Sequence, residues 1–440
     1  MTTGLGGVAA KALVDKNLVF TSIAHHITKE LIWESLNHIP NNTAVGIDGI
    51  SVETAKETFD QWIDELMASI HRQSYKPPPV RRVWIPKPGK EEKRPIGVPC
   101  VVDRALQRSV AQVLNAIYEN DFLNSSFGGR PGIGQHNALS SLNEIIRAKE
   151  INWVFEADLK NFFGSLDHGW LLRFIEHRVG DPRIISLIKR WLKAGVMEEG
   201  EFAESEVGSP QGGPISVLLS NLYLHYVLDL WFEKAIKPRL KGECYLIRYI
   251  DDFIVCFQHE DDANRFIEVL EKRLAKFTLT LEPGKTRLIE FGKFAAQNRQ
   301  MRGEGKPDTL YFLGFIHYCT TTRKGSFKVG RKTEKSRLKR SISKLQDTMR
   351  TIRHWKVGAQ IDRINLTLKG HYNYYGMGGN YESLRKIYVN TKYFLKKMLS
   401  SRSHKGYVTW DLFERIMNKH PILRPFIKIP YTEFKRYAVL

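Results

Sequence analysis

The ten residues RYIDDFIVCF, Arg248–Phe257, decide how the rest of the chain is read. Ile, Phe, Val and Tyr suit a buried strand, yet Asp251 and Asp252 stand side by side within the run. An unpaired carboxylate in apolar surroundings is costly or surrenders its charge, so something must compensate both acids. Neighbours on a regular strand point to opposite faces, and both reach one site only near a strand end or tight turn. CYLIRYI and DFIVCF therefore read as the arms of a hairpin with the aspartate pair at its tip. Taken alone, a solvent-facing turn accounts for the pair equally well, because aspartate favours turns.

A third carboxylate shifts that balance. Asp158 lies in WVFEADLKNFF, at the expected end of another apolar strand. Three acids at strand ends suit a hard cation such as Mg²⁺, which prefers oxygen ligands and is often held by carboxylates together with substrate phosphates. Two such ions, about 4 Å apart, activate an attacking 3′-hydroxyl and stabilise a leaving pyrophosphate.

Charge points to the same partner. In 440 residues, 67 Lys and Arg against 47 Asp and Glu leave a net charge of +20, which favours a polyanion. From Arg331 to Leu440 there are 25 basic and 7 acidic residues, a net of +18, while the first 330 hold 42 and 40. No apolar run approaches the ~18 residues of a membrane span. The N-terminus lacks the pattern of a secretory signal. The cysteines Cys100, Cys244, Cys256 and Cys319 form no CxxC pair, so neither a zinc ribbon nor a disulfide framework is expected, and a reducing cytoplasm is.

Three regions are expected. Residues 1–150 are mostly helical, with RRVWIP and PIGVP as short strands flanking a basic hairpin. Residues 151–330 mix strands (WVFEADL, CYLIRYI, DFIVCF, LYFLGFIHY) with helices, among them SVLLSNLYLHYVLDLWFEKAI, as in an α+β core. Residues 331–440 are helical and basic. There Leu338, Ile342, Leu345, Met349, Ile352 and Trp355 make one apolar stripe, and Leu384, Ile387, Thr391, Phe394 and Met398 another.

At this point a family resemblance enters. YIDD (Tyr249–Asp252) resembles the Y-x-D-D signature of reverse transcriptases, and further blocks follow in order. GIDGIS resembles the N-terminal block of group II intron-type enzymes. IPKPGKEEKRPIGVPCVVDRALQ and SSFGGRPGIGQHNAL resemble the fingers blocks. ADLKNFFGSLDH, GSPQGGPISVLLSNLYL and RYIDDFIVCF resemble the three palm blocks; LEPGKTRLIEFG and YFLGFIHY resemble the two that follow, the latter the primer grip. LTLKGHYNYYG and its flanking helices resemble the thumb, or maturase X, domain. The resemblance implies a right-hand polymerase: fingers and an N-terminal extension in 1–150, a ferredoxin-like palm in 151–330, and a helical thumb in 331–440.

It also implies roles. Asp158, Asp251 and Asp252 would be the catalytic acids, holding two Mg²⁺ ions (or Mn²⁺ in their place) with the Leu159 carbonyl. Phe163 occupies the steric-gate position, where a ring beneath the sugar would clash with a 2′-hydroxyl. Lys87, Lys93 and Arg94 would clamp the triphosphate, with Lys87 and Arg94 favoured, and Gln211 would contact the incoming nucleotide. Lys285 would protonate the pyrophosphate, although a plain surface lysine explains it nearly as well. The glycines of FGGRPGIG lack the ending of a P-loop, so they shape backbone rather than bind ATP. Tyr372, Tyr374 and Tyr375 suit packing better than base stacking.

Two departures matter. Intron-encoded relatives commonly carry Ala where this chain has Ile250, and a YIDD-bearing free-standing bacterial lineage is associated with DNA repair. The chain also ends at Leu440, soon after the thumb-like helices, where relatives add a DNA-binding segment and often an HNH nuclease; autonomous retrohoming is not expected. The expected substrates are dNTPs and RNA or DNA template–primer duplexes, with no membrane partner. Monomer and homodimer both stay open. The leading cellular role is break repair by annealing short complementary ends and filling in. Intron splicing and mobility, phage defence, or a binding-only maturase are the alternatives.

Overall fold

In a computed structural model of the chain, the described residues are 3–86, 92–198, 201–203, 212–403 and 406–439. Among them the strands are β1 Val80–Pro86, β2 Lys93–Val98, β3 Trp153–Asp158, β4 Val196–Glu198, β5 Glu201–Ala203, β6 Cys244–Tyr249, β7 Asp252–Phe257, β8 Arg287–Glu290, β9 Leu310–Phe312, β10 Phe315–Thr321 and β11 Phe327–Thr333. They form three sheets ordered β2-β1-β4-β5, β6-β7-β3-β8 and β11-β10-β9. Helices fill most of the remainder, so the fold is α+β, as expected for a right-hand polymerase.

The hairpin read from RYIDDFIVCF forms. β6 and β7 are neighbours, with Ile250 and Asp251 as the turn between them. β7 is buried from Phe253 to Phe257, and β3 from Val154 to Ala157. Strands covered on both faces read as continuous apolar runs, which is why both stood out in the sequence. β1 and β2 pair antiparallel, with Ile85 opposite Arg94 and Pro86 opposite Lys93.

The chain divides into two compact units. One comprises Met1–Gln135, Ala157–Val255 and Asp261–Arg287; the other comprises His136–Glu156, Cys256–Glu260 and Leu288–Leu440. In the first, the helix Val101–Tyr118 is buried around much of its circumference, including Asp103, Arg104 and Gln107. The helices His168–Glu176 and Pro182–Lys193 each start on an aspartate cap, Asp167 accepting from the Trp170 amide and Asp181 from the Arg183 amide.

In the second unit, the helix Lys335–Thr351 packs against Val357–Tyr375 and Tyr381–Ser400. Its interior includes Leu345, Met349, Ile364, Leu368, Leu384, Ile387 and Leu395. Tyr372 is fully buried and Tyr375 nearly so, while the Tyr374 hydroxyl donates to the Leu313 carbonyl at 3.1 Å; the three tyrosines pack, as read. Among the described residues, no helix is long and apolar enough to cross a membrane.

Three local expectations need correction. LYFLGFIHY is not one strand: Leu313 (φ 48°) and Gly314 (φ 80°) turn the chain between β9 and β10, which pair antiparallel. The apolar stripe from Leu338 stops short of Trp355, because the helix ends at Thr351 and Trp355 is exposed. The run SVLLSNLYLHYVLDLWFEKAI is α-helical only over Ser216–Leu224, then widens into π turns at His225–Asp229 and Phe232–Ile236. Apolar periodicity alone does not distinguish these windings.

Candidate active site

Asp158 is the last residue of β3, and the backbone beyond it is pinned. The Glu282 amide donates to the Asp158 carbonyl at 2.8 Å and the Lys160 amide to the Thr280 carbonyl at 2.9 Å, making Leu159 and Leu281 an isolated antiparallel bridge. Those two bonds use the carbonyl of Asp158 and not that of Leu159. Asn161 then turns through a left-handed conformation (φ 47°) into the short 3₁₀ segment Phe162–Gly164. The turn separates two adjacent aromatics: Phe162 is buried in the core, whereas Phe163 is only half-buried and offers ring surface.

The second turn is more unusual. Ile250 sits at φ 60°, a region that a β-branched side chain occupies at a cost of about 1–3 kcal/mol. Its surroundings hold it there. A Cβ on Gly128 would lie 2.7 Å from both the Ile250 Cγ1 and its amide nitrogen, so only glycine lets the Phe127–Gly128 backbone approach. The Arg248 amide donates to the Ser125 carbonyl at 2.7 Å, and the Phe127 amide to the Arg248 carbonyl at 2.9 Å.

The Arg248 side chain, fully buried, completes the support. Its guanidinium donates to Asp229 Oδ1 (2.7 Å) and Oδ2 (2.5 Å), to Asn221 Oδ1 (2.9 Å), to Ser126 Oγ (2.8 Å) and to the Ile250 carbonyl (3.0 Å). Asn221 donates in turn to the Gly128 carbonyl at 2.6 Å. One arginine thus links the helix Ser216–Leu224, the π turn, the Ser126–Gly128 loop and the aspartate turn. Asn221 and Asp229 are eight residues apart, about 80° out of register on a regular α-helix. The wider i→i+5 winding takes up that offset and brings both onto one arginine. The sequence reading assigned no role to Arg248, Asp229, Asn221 or Ser126. The available signal was an arginine inside CYLIRYI and an aspartate inside LHYVLDLWF, each a charge in an apolar run that requires a partner.

The site's charges are less balanced. Lys285, in the 3₁₀ turn Pro283–Lys285, donates to the Asp158 carboxylate and forms an ion pair with it. Burial opposes the lysine's charge, but the bond to Asp158, with the charges of Asp158, Asp252 and Glu282, holds its pKa above the ordinary value. Asp251 is pushed up, first by burial and then by the Asp158 carboxylate; Arg94 and Lys285 pull it back only in part. Asp158, Asp251, Asp252, Lys285 and Arg94 therefore share one field.

Among the described residues, no three His, Cys, Asp or Glu side chains converge to cage an ion by themselves. The donor set nevertheless fits a divalent cation. All its atoms are hard oxygens, Asp158 already attracts a cationic group in the Lys285 ammonium, and burial and Asp158 disfavour the charged form of Asp251, which a cation would restore. A site of this kind is completed by substrate phosphates. Of the expected triphosphate contacts, Lys93 and Arg94 are exposed on β2. Lys87 and Gln211 lie outside the described residues. Gly212, next to Gln211, adopts φ 124°, where a Cβ would lie 2.5 Å from the Gly97 carbonyl of β2.

The chain resembles known proteins over most of its length. A sequence profile described as reverse transcriptase (RNA-dependent DNA polymerase) matches residues 85–317. The group II intron-encoded protein LtrA of Lactococcus lactis subsp. cremoris is 25% identical over 457 aligned positions, covering 88% of this chain and 76% of that protein. Protein YkfC of Escherichia coli K12 is 33% identical over 201 positions, covering 45% of this chain and 52% of its own. Nuclear intron maturase 3 of Arabidopsis thaliana is 25% identical over 197 positions, 39% of this chain and 27% of that one.

Proposed function

The chain belongs to the reverse transcriptase family and is an RNA-directed DNA polymerase of the group II intron-like kind; on that premise we propose that Asp158, Asp251 and Asp252 are its catalytic acids. The observation that carries this is the meeting of two strand ends. Asp158 closes β3, Asp252 opens the neighbouring β7, and Asp158 lies close enough to raise the Asp251 pKa. Reverse transcriptases use divalent metal ions, and here they are two Mg²⁺ ions, with Mn²⁺ able to substitute. The three carboxylates and the Leu159 carbonyl would hold them, and when bound they would supply charge stabilisation for the attacking 3′-hydroxyl and the departing pyrophosphate.

The protein's own groups do the rest. Arg94 and Lys93, with Lys87, bind the triphosphate of the incoming dNTP and offset charge gathering on it. Gln211 orients that nucleotide, and Phe163 closes the space a 2′-hydroxyl would need. Lys285, paired with Asp158 here, would hold at its ammonium the proton that the pyrophosphate receives. Residues 1–150 serve as the N-terminal extension and fingers, 151–330 as the palm and 331–440 as the thumb on template–primer duplexes of RNA or DNA. Phe163→Ala should admit NTPs; unchanged sugar selectivity in single-nucleotide incorporation would reject the gate.

For the cellular role, the reading is double-strand break repair by annealing short complementary ends, supported by Ile250 and the resemblance to the free-standing YIDD lineage. Ile250→Ala should shift the balance from end joining toward long primer extension, and identical product distributions would sink that role. A second reading, intron splicing, is favoured by two relatives, one named a group II intron-encoded protein and one named an intron maturase. Purified protein with Mg²⁺ and dNTPs, on RNA and DNA templates, separates an active polymerase from a binding-only maturase. Extension that disappears in Asp252→Ala supports the polymerase assignment; RNA binding and splicing without extension would leave the maturase alone.

A further inference from the structure

The second unit carries a pocket to which none of the proposed catalytic or nucleotide-binding residues belongs. The helix Tyr381–Ser400, the segment after Gly406 and the helix Trp410–Lys419 form an open pocket of about 370 Å³, lined by Tyr393, Lys396, Lys397, Ser400, Ser401, Tyr407 and Trp410. That volume falls within the roughly 300–1,000 Å³ of small-ligand sites. Three aromatics stand open around it: Tyr407 is 74% exposed, Tyr393 62% and Trp410 43%. They are held in place. Tyr393 and Trp410 meet edge to face at 5.1 Å, Trp410 stands on the buried Phe413 at 5.7 Å, and the Val408 amide donates to Ser400 Oγ at 3.1 Å.

Lys396 defines the chemistry. The residue is nearly buried, and its ammonium lies 4.8 Å from the Tyr407 ring centroid and 5.0 Å from that of Trp410. Among the described residues, no carboxylate pairs with Lys396 or Lys397, and none lines the cavity. A cation already fills the position that an aromatic cage would offer a cationic ligand, so the occupant is not cationic. Wholly apolar occupants would leave two ammonium groups unmatched, and a bare phosphate would leave the remaining exposed ring surface of Tyr393, Tyr407 and Trp410 uncovered. One ligand class satisfies both features: a flat π system joined to an anion.

We infer that this cavity is a single-stranded nucleic-acid site, in which one unpaired base stacks on Tyr407 or Trp410 while its phosphate meets Lys396 and Lys397. A duplex does not fit that description, because its bases are already stacked on one another. The net charge of +18 over residues 331–440 supplies the surrounding attraction. The inference concerns binding alone and stands apart from the assignment of the catalytic acids.

The test uses the full chain without dNTPs or divalent ions. Fluorescence anisotropy would compare dT15, rU15 and a blunt duplex of equal length, with melting temperature as the folding control. Tyr407→Ala and Tyr393→Ala remove exposed rings, so both should fold. Tyr407→Ala should weaken single-strand binding about 5- to 150-fold, the range for one lost base–aromatic stack, Tyr393→Ala should weaken it less, and both should leave the duplex affinity within twofold. Lys396→Gln should reduce the salt slope for dT15 by about 0.7, as expected for one phosphate. Oligonucleotides bearing 5-iodouracil should crosslink to the peptide containing Tyr407. Equal losses for duplex and single strands, or unchanged affinity with crosslinks elsewhere, would overturn the site. A preference between dT15 and rU15 would identify which strand it takes. Absence of primer extension in a separate assay would count against the polymerase site and leave this result standing.

Discussion

Asp229 and Asp251 stand near opposite ends of one chain of hydrogen bonds, and they live by different rules. Asp229 is fully buried, yet its charge is matched by the two-pronged contact with Arg248, itself supported by Asn221 and Ser126. Asp251 is only half-buried, and its carboxyl is pushed up because burial and Asp158 outweigh Arg94 and Lys285. The balanced pair is architecture: it sets where the turn stands. On the proposed assignment the unbalanced acid serves function, where a cation arriving with substrate would offset the burial that raises its pKa. Residual imbalance in a half-exposed cleft therefore marks the reacting end better than carboxylate count does.

The largest expected effect attacks the unbalanced side. Asp252→Ala or Asp158→Asn should lower single-turnover extension by about 10³-fold or more, on the scale of losing a group that acts on the transition state, with secondary structure intact by circular dichroism. Extension within tenfold of wild type would remove those residues from the chemistry.

The next attacks the balanced side. Asp229→Asn strands the Arg248 charge in a dry site and should cost about 3–5 kcal/mol in urea denaturation. Replacing both partners together, Asp229→Leu with Arg248→Met, should recover much of that stability. It should not restore extension, because the Ile250 carbonyl and the Ser126 hydroxyl lose their donor. Full activity in the double variant would show that the network does not position the turn.

A smaller effect is expected where the two regions join. Gly128→Ala drives a methyl into Ile250 and should cost about 1–3 kcal/mol along with activity. Adding Ile250→Gly should relieve part of it, since glycine takes φ 60° freely and removes the clashing Cγ1. Independent, additive losses would mean that the contact is not what fails.

The smallest effect sharpens the contrast. Since the Asp251 pKa is raised in the folded chain, its ionised form is disfavoured there, and this group's contribution to stability improves as pH falls through the raised value. Asp251→Asn fixes the neutral state. In metal-free buffer at neutral pH it should melt slightly higher, by on the order of 1 kcal/mol or less, while losing extension. Below the ordinary carboxylate range the difference should vanish. A variant that melts lower at every pH would mean that the charge stabilises the fold.

How legible was this molecule before folding? The aspartate hairpin, the strand ending at Asp158 and the basic helical quarter were readable because each writes a local signal: an acid where apolar residues should continue, or a stripe at helical spacing. Phe163 could be told from Phe162 only through the family motif, and the left-handed Asn161 turn explains why one ring is core and the other is not. The LYFLGFIHY strand and the helix after Ser216 misled because Leu313, Gly314 and the π turns carry no distinctive composition. Arg248, Asp229, Asn221 and Ser126 escaped notice for another reason: the network joins residues up to 122 positions apart, and no local pattern records such a match.

The sequence by itself determined which residues are charged, which segments must be buried, and in what order the polymerase blocks occur. Those properties reside in side-chain chemistry and short-range periodicity. Tertiary structure alone decided which charges would be neutralised. Arg248 meets Asp229 because a π turn adjusts the winding of one helix, and Asp251 faces Asp158 because β7 lies beside β3. Pairing is a matter of distance, and distance between residues remote in sequence exists only once the chain has folded.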